Sequence, residues 1–376
     1  MPGAACLRLS VIAGAVVFAL GLVGAVVAPR VVAEPVVEPA AEKSSGSARP
    51  TTPTVGFSIN LHHTGQIELY LDAIDRMAAM GCDSVQVRTP MFQRHGAAET
   101  IAILDDGPGR SPRRADLVRL LRHARDRGLH TAMMPNVLFT EPRGNEWRGR
   151  IQPHDWDRWW ASYRACMDYF VDIAVEADVS MLAVGSELVS TESQTERWTT
   201  LIANIRARYD GELYYSTVFN SYTRPTFWAQ VDVLGVSGYW DLTQGTATDQ
   251  PGDAQLAARW AAIRRDLLDY AATQRRPVLL TEIGYPSLPW ALRQPWNYIH
   301  KGAAADHATQ ARGIASAIAA WRNLLEPDAD PTVLRGMYLE KWDPYHAGGP
   351  TDRGYGLRGK PAMQHVTEWL NDRRRQ

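Results

Sequence analysis

The chain has 376 residues, with 40 Lys and Arg against 41 Asp and Glu, a formal net charge of −1 and 45% hydrophobic residues. That is ordinary globular material for one large domain or two average ones, and it excludes a wholly disordered chain. A charge this near zero excludes a globally basic nucleic-acid binder, and 3 Cys exclude a disulfide scaffold.

Residues 11–28, VIAGAVVFALGLVGAVVA, carry no charge and lie between Arg8 and Arg30. As a helix they would reach about 27 Å, just enough to span a bilayer. A secretory signal has the same layout of basic start, apolar middle and small residues near a cut. Val31-Val32-Ala33 offers a cleavage site before Glu34, whereas Pro29 disfavours a cut after Ala28. Residues 1–33 therefore read as a cleaved signal peptide or an uncleaved membrane anchor. In either case the remainder is exported, secreted or held on the outer face of the membrane. Residues 34–54 hold Pro35, Pro39, Pro50 and Pro53 among small polar residues, and read as an extended linker. Cys6 lies before it. Cys82 and Cys166 could pair in an oxidising compartment, although they fall in segments that read as separate elements.

From Val55 to residue 376 short β-branched runs alternate with amphipathic stretches. The predicted strands are 56–61, 84–89, 130–136, 180–188, 212–218, 231–239, 277–284 and 334–342. Helices are predicted near 66–80, 113–127, 155–177, 192–208, 253–274, 305–325 and 361–373, with a short one near 224–230. Eight strand–helix units over ~320 residues fit a single α/β barrel of the (β/α)8, or TIM, type. A doubly wound open sheet is the alternative, but no glycine-rich fingerprint follows the first strand. The helix-to-strand connections are short and the strand-to-helix connections long, at 90–112, 137–154, 240–252 and 285–304. In such barrels the strand-to-helix loops build the functional face. Trp147, Trp156, Trp240, Trp290, Trp296 and Trp342 lie in or beside these loops, where core packing does not explain them. Trp159, Trp160 and Trp321 fall within helices and read as core.

Side-chain alternation separates a small or polar face from an apolar one on each strand. Gly56, Ser58 and Asn60 oppose Phe57, Ile59 and Leu61, and Ala183, Gly185 and Glu187 oppose Leu182, Val184 and Leu188. If the apolar face meets the helices, the other points into the barrel and its last residues ring the mouth. Those are Asn60, Arg88, Asn136, Glu187, Tyr239, Glu282 and Trp342. Glu187 ends the fourth predicted strand and Glu282 the seventh, so their carboxylates face each other across the mouth. Glycoside hydrolysis needs such a pair, one group to protonate the leaving oxygen and one to attack the anomeric carbon. Arg88 and Tyr239 would sit near Glu282 and help keep it ionised. Trp342 would form the floor under the sugar, and His62, just after the first strand, would reach a sugar hydroxyl. Asn60, Arg88, Asn136, Tyr239, Trp342 and His62 are thus the candidate substrate-binding residues beside Glu187 and Glu282.

GSEL on the fourth strand, TEIGYPS on the seventh and the ending EKWDPYHAGGPTDRGYGLRGKPA resemble the glycoside hydrolases of family 113, within the wider clan of barrels with catalytic glutamates on strands 4 and 7. The resemblance covers ~55–372. It implies a retaining β-glycoside hydrolase with Glu187 as acid/base, Glu282 as nucleophile and β-1,4-mannan as the first substrate to test. One position departs from the clan, in which Asn usually precedes the strand-4 glutamate to contact the 2-hydroxyl. Here it is Ser186, so that contact falls to another group, Asn136 or Asn60.

Other readings stay open beside this one: a non-catalytic carbohydrate-binding barrel, and a transglycosylase acting on envelope or exopolysaccharide glycans. Glu340 shares parity with Trp342 and reads as the partner of an inward arginine. Asp105-Asp106 with Gly107 and Gly109 lacks the spaced oxygen ligands of a calcium loop and reads as a turn. Arg373-Arg374-Arg375 reads as a solvated tail. No metal, cofactor or nucleic-acid partner is implied; the partner is a carbohydrate, with possible membrane attachment through the N-terminal helix and the chain acting as a monomer.

Overall fold

The computed structural model describes residues 49–376, apart from 63, 64, 105–108, 247, 300, 301 and 376. The signal or anchor reading of 1–33, the linker up to residue 48, Cys6 and the Asp105-Asp106 turn lie outside the described residues. Within them no helix is long and apolar enough to cross a membrane.

The strands are β1 (Thr54–Asn60), β2 (Ser84–Gln93), β3 (Ile101–Ala102), β4 (His130–Phe139), β5 (Met181–Ser186), β6 (Glu212–Val218), β7 (Val233–Ser237), β8 (Val278–Ile283) and β9 (Leu334–Trp342). All but β3 pair in parallel with their neighbours, and β1 pairs with both β2 and β9, which closes the barrel. Among the described residues seven α-helices surround it: α1 (Ile67–Met80), α2 (Arg114–Asp126), α3 (Trp156–Glu176), α4 (Thr195–Arg206), α5 (Asp253–Gln274), α6 (His307–Trp321) and α7 (Ala362–Arg373). This is the (β/α)8 barrel expected from the alternation. The helix predicted near 224–230 is a single 3-10 turn, Trp228–Gln230. Pro225 lacks an N–H, and so short a segment does not repay helix nucleation.

Local chemistry sets the helix ends. Asp155 accepts the Arg158 N–H at 2.9 Å to start α3, and Asp306 accepts the Thr309 N–H at 2.9 Å to start α6. Gly81 stops α1 at φ 99°, a left-handed conformation that glycine adopts without steric cost. β2 and β4 run four and three residues past the predicted ends at 89 and 136, paired up to Gln93 and Phe139, and β3 adds antiparallel to β2. Part of the long loop predicted at 90–112 is therefore a raised strand wall beside the mouth.

Two hydrophobic cores follow from the alternation. Inside the barrel, Met134, Met181, Tyr214, Leu279 and Tyr338 fill the lumen with Ala132, Ala183 and Val233. Polar groups among them are paired: Gln86 Nε2 donates to Ser58 Oγ at 2.8 Å, and the Tyr214 hydroxyl donates to Gln86 Oε1 at 3.1 Å. The outer core lies between sheet and helices. There Trp159, Trp160, Tyr163, Trp198 and Phe227 pack edge-on or stacked at ring-centroid distances of 4.7–6.1 Å. Trp159, Trp160 and Trp321 are core, as their helical positions implied.

One expectation fails at the end of the barrel opposite the mouth. Arg373 is not solvated: it is 6% exposed, and its guanidinium binds Asp83 at 2.6 Å and the carbonyls of Leu325 and Pro53 at 2.5 and 2.8 Å. The basic run spans the end of α7, and its first arginine, the last residue of the helix, turns inward to satisfy backbone carbonyls at the junctions of three segments. Arg374 likewise bonds the Ala79 carbonyl at the end of α1, at 2.5 Å. Cys82 and Cys166 do not pair. Both are free, buried thiols, one after α1 and one on α3, and burial pushes Cys166 up to about 11.

Candidate active site

The open end of the barrel holds a cleft of about 740 Å³. Asn60, His62, Arg88, Asn136, Glu187, Tyr239 and Glu282 line it, so the structure brings together every candidate named from the sequence except Trp342.

Trp342 departs for a register reason. Phe57 lies opposite Leu339, but Ile59 lies opposite Trp342, so β9 carries an extra residue between them. The insertion reverses the alternation. Glu340 still points inward, while Trp342 joins the outer core, 4% exposed, edge-on to Phe57 at 5.3 Å and 5.2 Å from the Arg358 guanidinium.

A similar irregularity places Glu282. Leu279 is in the lumen, and strict alternation would turn Glu282 outward. The register of β8 shifts instead, with Val236 opposite Leu280 and Ser237 opposite Glu282. Thr281 stays inward, its hydroxyl 2.6 Å from Ser216 Oγ, and Glu282 also reaches the mouth.

Arg88 ties three side chains of the mouth together. Its Nη1 is 2.9 Å from Glu282 Oε2, its Nη2 is 2.5 Å from Glu340 Oε1, and its Nε donates to Asn60 Oδ1 at 2.6 Å. The Tyr239 hydroxyl donates to Glu282 Oε2 at 2.7 Å. Burial, then the adjoining Glu282 charge, pushes Tyr239 far up, so it remains a neutral donor. Burial also raises Glu340 against the opposing pull of Arg88. Glu340 is thus an ion-pair partner of the inward arginine, as its position implied. Glu282 Oε1 is buried and makes no hydrogen bond among the described residues. One oxygen is anchored twice and the other is left open.

Glu187 follows the last residue of β5 with φ 53°. Left-handed backbone at a non-glycine residue costs on the order of 1–3 kcal/mol and persists only where surroundings fix it. Here the Glu187 N–H donates to the Ser216 carbonyl at 2.7 Å and the Leu188 N–H to the Tyr215 hydroxyl at 3.0 Å. The carboxylate is held at both oxygens: Ser237 Oγ donates to Oε1 at 2.5 Å, and Arg148 Nη2 lies 2.7 Å from Oε2.

The chain-order reading missed Arg148, which comes from the 3-10 turn Arg148–Arg150 between β4 and α3. Its neighbour Trp147 was the one available signal. Trp147 lines the cleft, as do Phe219, Trp296 and Tyr298. Phe219 and Trp296 stack at 5.5 Å with planes 18° apart. Trp147, Trp296 and Tyr298 are exposed. Trp240 is instead buried, edge-on to Trp260 at 5.8 Å, so it serves the core. Tyr355 closes the ring between loops, its hydroxyl donating to the Pro295 carbonyl at 2.5 Å. Asn136 Oδ1 faces no donor among the described residues, whereas Ser186 is buried at the end of β5 and does not line the cleft.

Several solved structures share this architecture. A GH113 β-1,4-mannanase in a complex superposes with a TM-score of 0.72 at 20% identity, covering 85% of this chain and 99% of that one. The GH113 β-mannanase AaManA from Alicyclobacillus acidocaldarius in complex with ManMIm gives 0.72 at 22% identity, over 86% and 98%. A family 5 mannosidase from Rhizomucor miehei gives 0.57 at 11% identity, over 86% and 94%. No curated protein matches the sequence. The model for Glycoside Hydrolase Family 113 matches residues 66–360, a span that contains both mouth glutamates and every strand but β1. The chain is a glycoside hydrolase and belongs to family 113.

Proposed function

We propose that the chain hydrolyses β-1,4-linked mannan with retention, Glu282 acting as nucleophile and Glu187 as acid and then base. The family's hydrolases are retaining. The observation that carries the assignment of roles is the asymmetry of Glu282, with Oε2 fixed by Arg88 and Tyr239 and Oε1 open. Oε1 attacks the anomeric carbon as the glycosidic C–O bond breaks, and Glu187 gives its proton to the departing oxygen. Ser237 holds Glu187 Oε1, which leaves Oε2, now shared with Arg148, as the oxygen that carries the proton. Water, deprotonated by Glu187, then cleaves the glycosyl ester and restores Glu282.

Mannan is supported by the two family 113 neighbours named above, both mannanases. Asn136, with its unengaged Oδ1 in the cleft, takes the sugar-hydroxyl contact that Ser186 is too short and too buried to make. Residues 1–33 act as signal or anchor, so the enzyme works outside the cell. Proton NMR of the first-formed product from mannooligosaccharides decides the stereochemistry: the β-anomer is expected, and an initial α-anomer overturns the reading. Comparing mannan, glucomannan, xylan and cellulose checks the substrate, with highest turnover expected on mannan.

A further inference from the structure

A third carboxylate lies behind Glu187. Glu192 is fully buried, at the end of the 3-10 turn Val189–Thr191 that follows β5. Its Oε1 accepts hydrogen bonds from the Tyr215 hydroxyl at 3.1 Å and from Thr217 Oγ1 at 2.9 Å, both on β6. The same Tyr215 hydroxyl accepts the Leu188 N–H, the first amide after Glu187. Ser237 Oγ shares its one proton between Glu187 Oε1 and the Thr217 carbonyl, the latter at 3.1 Å. Two chains of hydrogen bonds therefore run from one buried carboxyl to the two sides of Glu187, its backbone and its side chain.

A buried carboxyl is costly to keep without a return. Burial pushes Glu192 up to about 7, against the hydrogen bonds from Thr217 and Tyr215. The charged groups facing it are Arg224 from the β6–β7 connection, at 3.9 Å from Oε2, and Glu187 itself. Oε2 makes no hydrogen bond among the described residues. An apolar side chain would fill the space more cheaply, but it could not orient the Tyr215 and Thr217 hydroxyls.

We propose that Glu192 is a positioning residue for the acid/base step: through Tyr215 and Thr217 it fixes the left-handed turn and the side-chain direction of Glu187. This rests on the assignment of Glu187 as acid/base.

The test compares leaving groups, using the full chain. Glycosides with a dinitrophenyl leaving group need little protonation in the first step, whereas oligosaccharides need it fully. In Glu192→Ala, kcat/KM on mannooligosaccharides should fall roughly tenfold or more, while kcat/KM on a dinitrophenyl β-mannoside changes by less than about threefold. Glu192→Gln, which keeps an acceptor for both hydroxyls, should recover most of the loss. Equal loss on both substrates in folded protein, no loss on either, or failure of Glu192→Gln to recover activity would overturn the proposal. If Glu192→Ala does not fold, Tyr215→Phe, which removes only the hydroxyl that joins Leu188 to Glu192, carries the same expectation and the same refutation. Glu187→Ala is measured in parallel. If it shows no leaving-group selectivity, the acid/base assignment fails, and that outcome is distinct from failure of the Glu192 variants alone.

Discussion

At the residue scale the two carboxylates differ in how they are held, Glu282 keeping one oxygen open and Glu187 being held at both. Arg88 and Tyr239 hold Glu282 by Oε2, and Ser237 holds Glu187 by Oε1. Glu282→Ala should lower kcat by roughly 10⁴-fold or more. Azide should enter the space vacated by the carboxylate and restore part of the turnover, giving an α-glycosyl azide that NMR identifies. Glu192 has a separate signature in stability. Burial raises its carboxyl to about 7, so the folded chain binds the proton more tightly than the unfolded chain does. The associated stabilisation is fully present below about pH 4.5 and is lost as pH rises through about 7. Its size is on the order of 3 kcal/mol. Denaturant unfolding at about pH 4 and pH 8 should show Glu192→Gln losing less stability than wild type over that interval. A parallel loss in both would mean that Glu192 does not titrate in this range.

At the element scale, strands place the charged groups and loops place the aromatic ones. The stacked pair Phe219 and Trp296 joins the β6 end to the β8–α6 loop, with Trp147 on the β4–α3 loop lining the same cleft. A flat, exposed indole suits the apolar face of a sugar away from the reacting bond. Trp296→Ala should raise KM for long mannooligosaccharides about tenfold, the equivalent of ~1.4 kcal/mol, and leave kcat within about twofold. A change in kcat of the same size would place Trp296 at the reacting sugar instead. At the opposite end, Arg373 closes α7 onto the β1–β2 side through Asp83 and two carbonyls. Arg373→Ala leaves the Leu325 and Pro53 carbonyls without their donor and should cost about 2–3 kcal/mol, read as a lower denaturant midpoint. kcat should hold in the protein that remains folded.

For the whole molecule, the barrel begins before its first strand. The Pro50 carbonyl accepts from Arg335 at 3.0 Å, and the Pro53 carbonyl accepts from Arg373. A chain beginning at Arg49 should therefore be soluble, folded and active. One beginning at Val55 loses both acceptors and the first residue of β1, and should unfold at a lower temperature. Equal melting temperatures for the two would show that these contacts do not bear on stability.

Alternation of apolar and polar residues determined the strands, their inward faces and the gathering of Asn60, Arg88, Asn136 and Tyr239 at one mouth, because side-chain direction along a regular strand depends only on neighbours in sequence, whereas Glu187 follows a register shift in β5. The amphipathic stretches likewise located the helices to within a few residues of their ends. What tertiary structure decided was each place where that local rule is interrupted. The extra residue in β9 sent Trp342 to the outer core, and the shift in β8 brought Glu282 to the mouth. Arg148 reaches Glu187 from a loop whose path depends on packing across the barrel, and Arg373 turns inward because distant backbone carbonyls need a donor. Register shifts and loop contacts are settled between strands and segments far apart in the chain, so no window of sequence contains the information that fixes them.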